Sequence, residues 1–273
     1  MFKKFITVAS SLALSAMCLT GCNQTTTDKE AKKTLDKVTI AEVTHSVFYA
    51  PQYAAVTKGF FEEEGIEVDI INTSGADKTM AALISGEAQV GLMGPEASIY
   101  VYNQGNENYA VNFAQLTKTD GSFIVAREEM PNFTLEDLKG KDILGGRKGG
   151  VPLMTLEYVL KKNGLTIGTN KEAGEVNVRT DVQFGVMAGA FAGGEGDFTT
   201  VFEPTGTQME EEGTGYIVAS VGELSREVAG DVPYTAYSTT KEFMADNEDL
   251  IQRFTNALYK GQQWCKTASS EEI

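Results

Sequence analysis

Residues 38–71 read VTIAEVTHSVFYAPQYAAVTKGFFEEEGIEVDII and decide the fold class. Residues 38–43 are mainly apolar and favour a strand. Pro51 suits the first turn of a helix, because no backbone N–H is needed there, and a helix is predicted over 51–64. Residues 66–71 alternate between apolar and acidic side chains before becoming fully apolar, as a strand covered by helices does. Strand, helix and strand within 34 residues have the size of a βαβ unit.

The same alternation of strands and helices continues along the chain and predicts a parallel α/β protein. Residues 118–121 are polar and separate a first series of elements from a second. Two series in tandem predict two lobes. The remaining predicted helices cover 75–84, 95–102, 153–163, 182–192 and 251–266, and the remaining strands cover 89–93, 110–116, 121–125, 142–144, 175–178 and 198–202.

The N-terminus resembles a bacterial lipoprotein signal. Two lysines are followed by an apolar stretch at 5–19 and by LTGC at 19–22, where small residues precede a cysteine. A transmembrane anchor is the alternative, but the stretch is shorter than the roughly 20 residues that a span needs. We therefore expect a signal peptide over 1–21, a lipid such as palmitate on Cys22, and a location at the extracytoplasmic face of the cell membrane.

Residues 22–37 contain almost nothing that a core could bury, and they predict a lipidated polar tether. The folded body should therefore begin near Val38. Its length suits one large or two modest α/β domains.

Composition excludes several classes of function. The formal net charge is −15, which repels nucleic acid. The chain has three cysteines, of which Cys18 would leave with the signal and Cys22 would carry lipid, so Cys265 has no partner for a disulfide. His45 is the single histidine, which excludes a histidine-based metal cluster. We expect no metal and no cofactor.

Candidate ligand contacts follow from the rule that open α/β sheets bind ligands beyond the carboxyl ends of their strands. In the first series these ends supply a histidine, an aromatic pair and two glycine-containing turns. In the second series they supply a basic, glycine-rich loop. The candidate residues are His45, Phe48, Tyr49, Gly75, Gly94, Pro95, Glu96, Arg147, Lys148, Gly149, Val151, Phe184 and Glu203.

These candidates leave two kinds of ligand open. Arg147, Lys148 and His45 favour an anion such as a sulfonate, held by guanidinium and backbone donors. Phe48 and Tyr49 favour a stacked heterocycle, although they could equally anchor their loop in the core. Glu96 and Glu203 could accept hydrogen bonds from N–H groups of such a heterocycle, or could only pair with Arg147.

Four segments resemble the solute-binding proteins of ABC importers for nitrate, sulfonates, taurine and thiamine-pyrimidine precursors. They cover 53–68, 81–92, 138–147 and 196–204. The resemblance implies a two-lobed periplasmic-binding-protein-like (type 2) fold with a ligand cleft between the lobes. It assigns 38–120 plus 230–273 to lobe 1 and 121–229 to lobe 2. Family members usually extend beyond a Trp-containing helix like 251–266, so we expect the C-terminal part of lobe 1 to be truncated.

The resemblance also implies a mechanism. A monomer would capture a small solute by closing about hinges at 118–121 and 228–234, and would deliver it to a permease that works with an ATPase. No catalytic residues are expected. A lipid-anchored sensor of the same fold is an alternative that sequence does not separate from an importer component.

Enzymatic alternatives are less consistent with the sequence. This chain lacks the G-x-S-x-G elbow of many secreted hydrolases, although its sequence does not exclude a catalytic pair of carboxylates. The same fold family includes a pyrimidine synthase, which has lysine and histidine where this chain has Met93 and Ala97. The cysteine-rich motif of that synthase has no counterpart in this chain.

Overall fold

The computed structural model describes residues 34–273. The predicted signal peptide, the lipidated Cys22 and the tether up to residue 33 lie outside this range. The strands are β1 (Asp36–Glu42), β2 (Ile66–Asn72), β3 (Val90–Met93), β4 (Ala110–Thr117), β5 (Ser122–Ala126), β6 (Asp142–Leu144), β7 (Asn177–Arg179), β8 (Phe198–Phe202), β9 (Tyr216–Ser220) and β10 (Thr235–Thr240). The helices are α1 (Ala50–Thr57), α2 (Phe60–Glu63), α3 (Ala76–Ser85), α4 (Glu96–Asn103), α5 (Val151–Lys162), α6 (Met187–Ala192), α7 (Thr205–Glu211), α8 (Val221–Ala229), α9 (Lys241–Asp246) and α10 (Glu248–Cys265).

The strands form two five-stranded sheets with matching arrangements. Their orders are β2-β1-β3-β10-β4 and β7-β6-β8-β5-β9. The sheets are mixed, which corrects the prediction of wholly parallel sheets. β10 is antiparallel to β3 and β4, and β5 is antiparallel to β8 and β9. In each sheet, the antiparallel strand is the one that the chain enters after crossing from the other sheet.

Two crossover segments therefore join the sheets. The first, residues 118–121, links β4 to β5, and the second, residues 230–234, links α8 to β10. The crossovers lie side by side, because the N–H of Val232 donates to the carbonyl of Lys118 at 2.9 Å and that of Tyr234 to Thr117 at 3.1 Å. Both crossovers lie within the segments 118–121 and 228–234, in which we predicted hinges.

Each sheet has its own core. Against the first sheet, Phe61 and Phe254 pack with ring centroids 5.0 Å apart, and both are fully buried. Against the second sheet, Leu138, Ile143 and Leu160 are fully buried. Separate cores allow two bodies that are joined only by the crossovers and by contacts across the cleft between them.

Several element boundaries correct the predictions. β1 begins at Asp36 rather than Val38, because Asp36 and Lys37 continue the ladder with β2. The helix predicted over 51–64 is two helices, α1 and α2, separated at Gly59, whose φ of 76° is left-handed.

A further predicted helix is shorter than expected. The one predicted over 182–192 begins with a single 3-10 turn, Phe184–Val186, before α6. Gly185 and the β-branched Val186 are poor helix formers, which accounts for the late start. The helix predicted over 251–266 begins earlier than expected, at Glu248, and ends at Cys265.

Candidate functional site

A cavity of 410 Å³ lies between the loops of the two sheets. It is bounded by the segments that follow β1, β2 and β3 on one side, by the segments that follow β6 and β7 and the end of β8 on the other, and by the start of β10. This is where α/β sheets hold ligands, at the carboxyl ends of their strands. A second cavity of 190 Å³ adjoins it, and the two cavities share the lining residues Val43, Thr44, Ser74, Phe184, Thr200 and Phe202.

The structure places most of the predicted site residues on these walls. The larger cavity is lined by Tyr49, Gly75, Gly94, Glu96, Arg147, Lys148, Val151 and Phe184. The smaller cavity is lined by His45, Phe184 and Glu203. Phe48, Pro95 and Gly149 line neither cavity. Direct solute contact by any of these residues stays a prediction.

Arg147 projects from the loop after β6 and reaches across the cleft. Its Nη2 lies 3.3 Å from Oε1 of Glu96, and its Nε lies 3.7 Å from Oδ1 of Asp77. The same Glu96 oxygen accepts the backbone N–H of Val151 at 3.3 Å. Two carboxylates of the first lobe therefore balance the guanidinium of the second, which leaves less of its charge for an anionic ligand.

Glu96 begins α4 and is 7% exposed. Burial raises the pKa of its carboxyl group, and the backbone N–H groups around it and Arg147 oppose that rise. Its Oε2 is buried and has no hydrogen-bond partner among residues 34–273. An unsatisfied buried acceptor is costly, so this oxygen is suited to an N–H or O–H donor on a bound solute. Gly94 leaves room for it, since a Cβ there would clash with the Glu96 carboxylate.

Aromatic rings cover much of the rest of the larger cavity. Tyr49 and Tyr234 come from the first lobe, and both are almost fully buried. Phe184 and Phe202 come from the second, with ring centroids 5.8 Å apart. Such rings provide flat apolar surfaces against which a planar ligand can stack.

Two more hydrogen bonds cross the cleft. The hydroxyl of Tyr100 on α4 donates to the carbonyl of Gly149 at 2.9 Å. The hydroxyl of Ser46 donates to the carbonyl of Glu203. Together with Arg147, these contacts show that the described conformation is closed.

Phe48 does not provide the stacking surface that its sequence position suggested. Its ring lies against Gly121, where a Cβ would be 2.6 Å from it, and its centroid is 6.2 Å from that of Tyr234. Phe48 therefore packs at the crossovers. Its neighbour Tyr49 lines the cavity instead. The sequence alone did not indicate which of the two adjacent rings would do so.

Pro95 and Gly149 act through their backbones. Pro95 is the residue before α4, and its carbonyl accepts the hydroxyl of Ser98 at 2.7 Å. Gly149 has a φ of 76° and presents its carbonyl to Tyr100, as described above. Both residues accept hydrogen bonds that hold the cavity walls in place, and neither lines a cavity.

His45 is held at the smaller cavity by a buried carboxylate. Its Nδ1 lies 3.1 Å from Oε1 of Glu42, and its ring centroid lies 4.4 Å from that of Tyr53. Glu42 also accepts hydrogen bonds from Gln52 at 2.8 Å and from Tyr53 at 2.9 Å. Burial raises the pKa of Glu42 and these bonds oppose the rise. The His45 side chain is 72% exposed, so it lies at the rim.

The carboxylate of Glu203 is bound within its own lobe, and its contact with a ligand stays a prediction. The carboxylate accepts the backbone N–H and the hydroxyl of Thr207, both at 3.0 Å. It therefore caps the first turn of α7, which has the donors that helix starts leave unsatisfied. Only the backbone of Glu203 contributes to the contact between lobes.

Lys78 and Tyr234 line the larger cavity but were not among the predicted contacts. Asp77 belongs to the segment 72–77 that follows β2, which the strand-end rule selects, and Lys78 comes directly after it. Tyr234 could not be found in the same way, because no strand was predicted after it.

No group of three or more histidine, cysteine or acidic side chains within residues 34–273 is arranged to hold a metal ion. Across the same residues, every helix is too short or too polar to cross a membrane.

Two α/β lobes, two crossovers and a closed cleft with a cavity define the periplasmic-binding-protein fold. The chain belongs to the family described as NMT1/THI5 like, which matches residues 47–271. The resemblance noted from the sequence is thereby confirmed.

Individual relatives agree with this placement. "Putative binding protein YtlA" of Bacillus subtilis (strain 168) is 47% identical over 242 residues, covering 89% of this chain and 70% of that protein. The periplasmic nitrate-binding protein NrtA of Synechocystis PCC 6803 is similar in fold, with a TM-score of 0.68 at 17% identity, covering 86% of this chain and 63% of that one. The periplasmic aliphatic sulphonate binding protein SsuA of Escherichia coli has a TM-score of 0.63 at 16% identity, covering 85% and 74%.

Proposed function

We propose that this protein captures a small solute outside the cytoplasm by closing its two lobes, and that it delivers the solute to the permease and ATPase of an ABC importer. The observation that carries the proposal is the 410 Å³ cavity, which both lobes line and which polar contacts across the cleft enclose. A solute held there would bridge the lobes and favour the closed state, as binding shifts an equilibrium toward the state it prefers.

We propose a planar heterocycle with N–H donors as the solute. The unpartnered Oε2 of Glu96 accepts one donor, and Tyr49 and Phe184 contribute aromatic surface. A free anion is the second candidate, because Lys148 lines the cavity and NrtA and SsuA are named for nitrate and sulphonate binding. The pairing of Arg147 with Glu96 and Asp77 favours the heterocycle.

The remaining features of the proposal come from the sequence. Lobe 1 comprises 38–120 with 230–273, lobe 2 comprises 121–229, and the crossovers act as hinges. A lipid on Cys22 keeps a monomeric protein on the extracytoplasmic face of the membrane, near its permease. A sensor that presents the closed form to a receptor is the alternative use of the same lobes.

Binding without catalysis is favoured by the chemistry of the cavity. His45, the single imidazole of the chain, lies in the smaller cavity and is tied to Glu42. This chain has Met93 and Ala97 where the synthase of this fold family has lysine and histidine. It therefore lacks the two reactive side chains that the synthase needs.

A thermal-shift panel at pH 7.5 tests the proposed solute class. The panel contains cytosine, uracil, riboflavin, taurine, ethanesulfonate and nitrate, because a ligand at 100 times its Kd stabilises a fold by roughly 2.7 kcal/mol. We expect a heterocycle to raise the melting temperature and Glu96→Gln to reduce that shift.

Glu87→Gln, at an exposed position outside both cavities, is the matched control and should keep the shift. Stabilisation by the anions alone would replace the proposed class with the second candidate. No shift with any member would contradict both classes.

A further inference from the structure

The two crossovers enclose a buried carboxylate, Asp120. This residue is 3% exposed and lies in the first crossover, just before β5. Its Oδ1 accepts the backbone N–H of Ser122 at 2.6 Å. Its Oδ2 is buried and has no hydrogen-bond partner among residues 34–273. A carboxylate in this position is unusual, because buried charges are normally paired.

Tyr234 at the end of the second crossover faces this carboxylate. It is 2% exposed, and its hydroxyl is also buried without a hydrogen bond of good geometry to any described residue. The closed conformation thus contains a donor and an acceptor on opposite crossovers, near one another but unpaired. The ring of Tyr234 also lines the solute cavity, so the pair connects the hinge with the binding site.

The carboxylate of Asp120 is shielded from water, and the backbone around it is tightly packed in the closed state. On one side, a Cβ at Gly121 would be 2.6 Å from the ring of Phe48. On the other side, a Cβ at Gly222 of α8 would clash with the Asp120 carbonyl. Burial raises the pKa of Asp120 to about 6, and the hydrogen bond from Ser122 and the proximity of the Tyr234 hydroxyl oppose the rise.

The other ionisable groups near the pair do not neutralise it. Beyond Tyr234, toward the cavity, lie Tyr49 and Glu96, which are acids. The nearby cations are Lys118 and Arg226, and both pair with Asp231, at 2.8 Å and 3.0 Å, on the solvent side of the crossovers. No cation within residues 34–273 forms an ion pair with Asp120.

We propose that Asp120 couples the uptake of a proton to closure of the lobes, so that acidic surroundings strengthen solute capture. The proposal rests on the proposed function and adds a regulation of the same site. In the closed state Asp120 is shielded from water, which favours the neutral acid. Opening rotates the lobes about the crossovers and hydrates the carboxylate, which favours its charged form. Below about pH 6, closure therefore takes up as much as one proton from solvent, so lowering the pH below this value favours the closed state.

Small-angle X-ray scattering of the solute-free full chain between pH 5 and pH 8 tests this. We expect the radius of gyration of the wild type to fall as the pH is lowered, with a midpoint below pH 6. Asp120→Asn, which is neutral at every pH and similar in shape, should remain compact throughout. Asp246→Asn, which removes an exposed carboxylate from α9, is the matched control and should follow the wild type.

Tyr234→Phe provides a second variant that keeps the ring in the cavity wall. Because the hydroxyl favours the charged form of Asp120, its loss should move the midpoint to higher pH. A merely structural role for Tyr234 would leave the midpoint unchanged, and that result would contradict the proposal. A flat wild-type profile, or an Asp120→Asn profile that still follows the wild type, would overturn it.

The experiment contains no solute, so its outcome does not depend on the thermal-shift panel. A positive panel with a flat scattering profile would remove only the coupling to pH. A pH-dependent compaction with a negative panel would remove only the proposed solute class.

Discussion

The two walls of the cleft differ in charge. The wall from the first lobe places Asp77 and Glu96 opposite Arg147 of the second, while both walls contribute aromatic rings. This difference places opposite charges in contact across the cleft, where they hold the two walls together. From sequence, the basic loop after β6 resembled a cradle for an anion. In the structure, Arg147 of this loop forms ion pairs with Asp77 and Glu96 of the opposite lobe, and these ion pairs form a latch across the cleft.

The energetic weight of such a latch depends on burial. The side chain of Glu96 is 9% exposed and that of Arg147 is 32% exposed, so solvent screens the pair only in part. Removing one member of a partly buried pair leaves the other without its counter-charge, which costs more than the pair itself contributes. The following three predictions use the solute that the thermal-shift panel identifies.

Arg147→Glu should have the largest effect. It places a third negative charge against Asp77 and Glu96, so closure becomes repulsive. We expect solute affinity to fall about 100-fold, equivalent to about 3 kcal/mol, as measured by isothermal titration calorimetry.

Lys148→Glu is the matched control for this reversal. Lys148 comes from the same loop and lines the cavity, but forms no ion pair with any described residue. If the latch contributes more to solute affinity than the general charge of the loop does, this change should weaken the binding of a neutral solute only slightly. Equal losses for Lys148→Glu and Arg147→Glu would contradict the latch.

Gly94→Ala should have an intermediate effect on the first wall. The new Cβ would clash with the Glu96 carboxylate and would lie 2.8 Å from Cγ2 of Val151 on the second wall. Overpacking of this kind typically costs about 1–3 kcal/mol, so affinity should fall about 10-fold.

Gly189→Ala in α6 is the control for the glycine change, because no atom lies within 4 Å of its added Cβ. It should leave affinity unchanged and can stabilise the helix. Wild-type affinity in Gly94→Ala would show that the position of Glu96 does not matter for binding.

Tyr100→Phe should have the smallest effect of the three. It removes only the hydroxyl that donates to Gly149 across the cleft. A hydrogen bond of this kind contributes about 1 kcal/mol, so affinity should fall about fivefold. Tyr102→Phe on the same helix, whose side chain is largely exposed, should bind like the wild type. A loss in both variants would indicate a general effect of α4.

The walls of the cavity were largely predictable because strand-end loops converge by topology. Gly75, Glu96 and Arg147 follow strands whose hydrophobic patterns are clear. β10 was missed, although it is central and wholly buried, because its sequence TAYSTT has almost no hydrophobic pattern. Its hydroxyls are satisfied within the fold, as when Thr239 donates to the carbonyl of Gln89 at 2.8 Å. Missing β10 also hid Tyr234.

Side-chain direction was the other limit. Phe48 and Tyr49 are adjacent, and only the 3-10 turn at Val47–Tyr49 decides which ring faces the cavity. Glu203 turns toward α7 because Thr207, four residues later, supplies two donors. The latter was within reach of sequence analysis, since a carboxylate just ahead of a helix often caps it.

Solute capture depends on closure of the two lobes around the solute, and small-angle X-ray scattering at pH 7.5 measures that closure directly. Wild-type protein with a saturating concentration of the stabilising solute should have a smaller radius of gyration than solute-free protein, and Arg147→Glu should lose most of this compaction. An unchanged wild-type profile at saturation would contradict solute capture by closure of the two lobes.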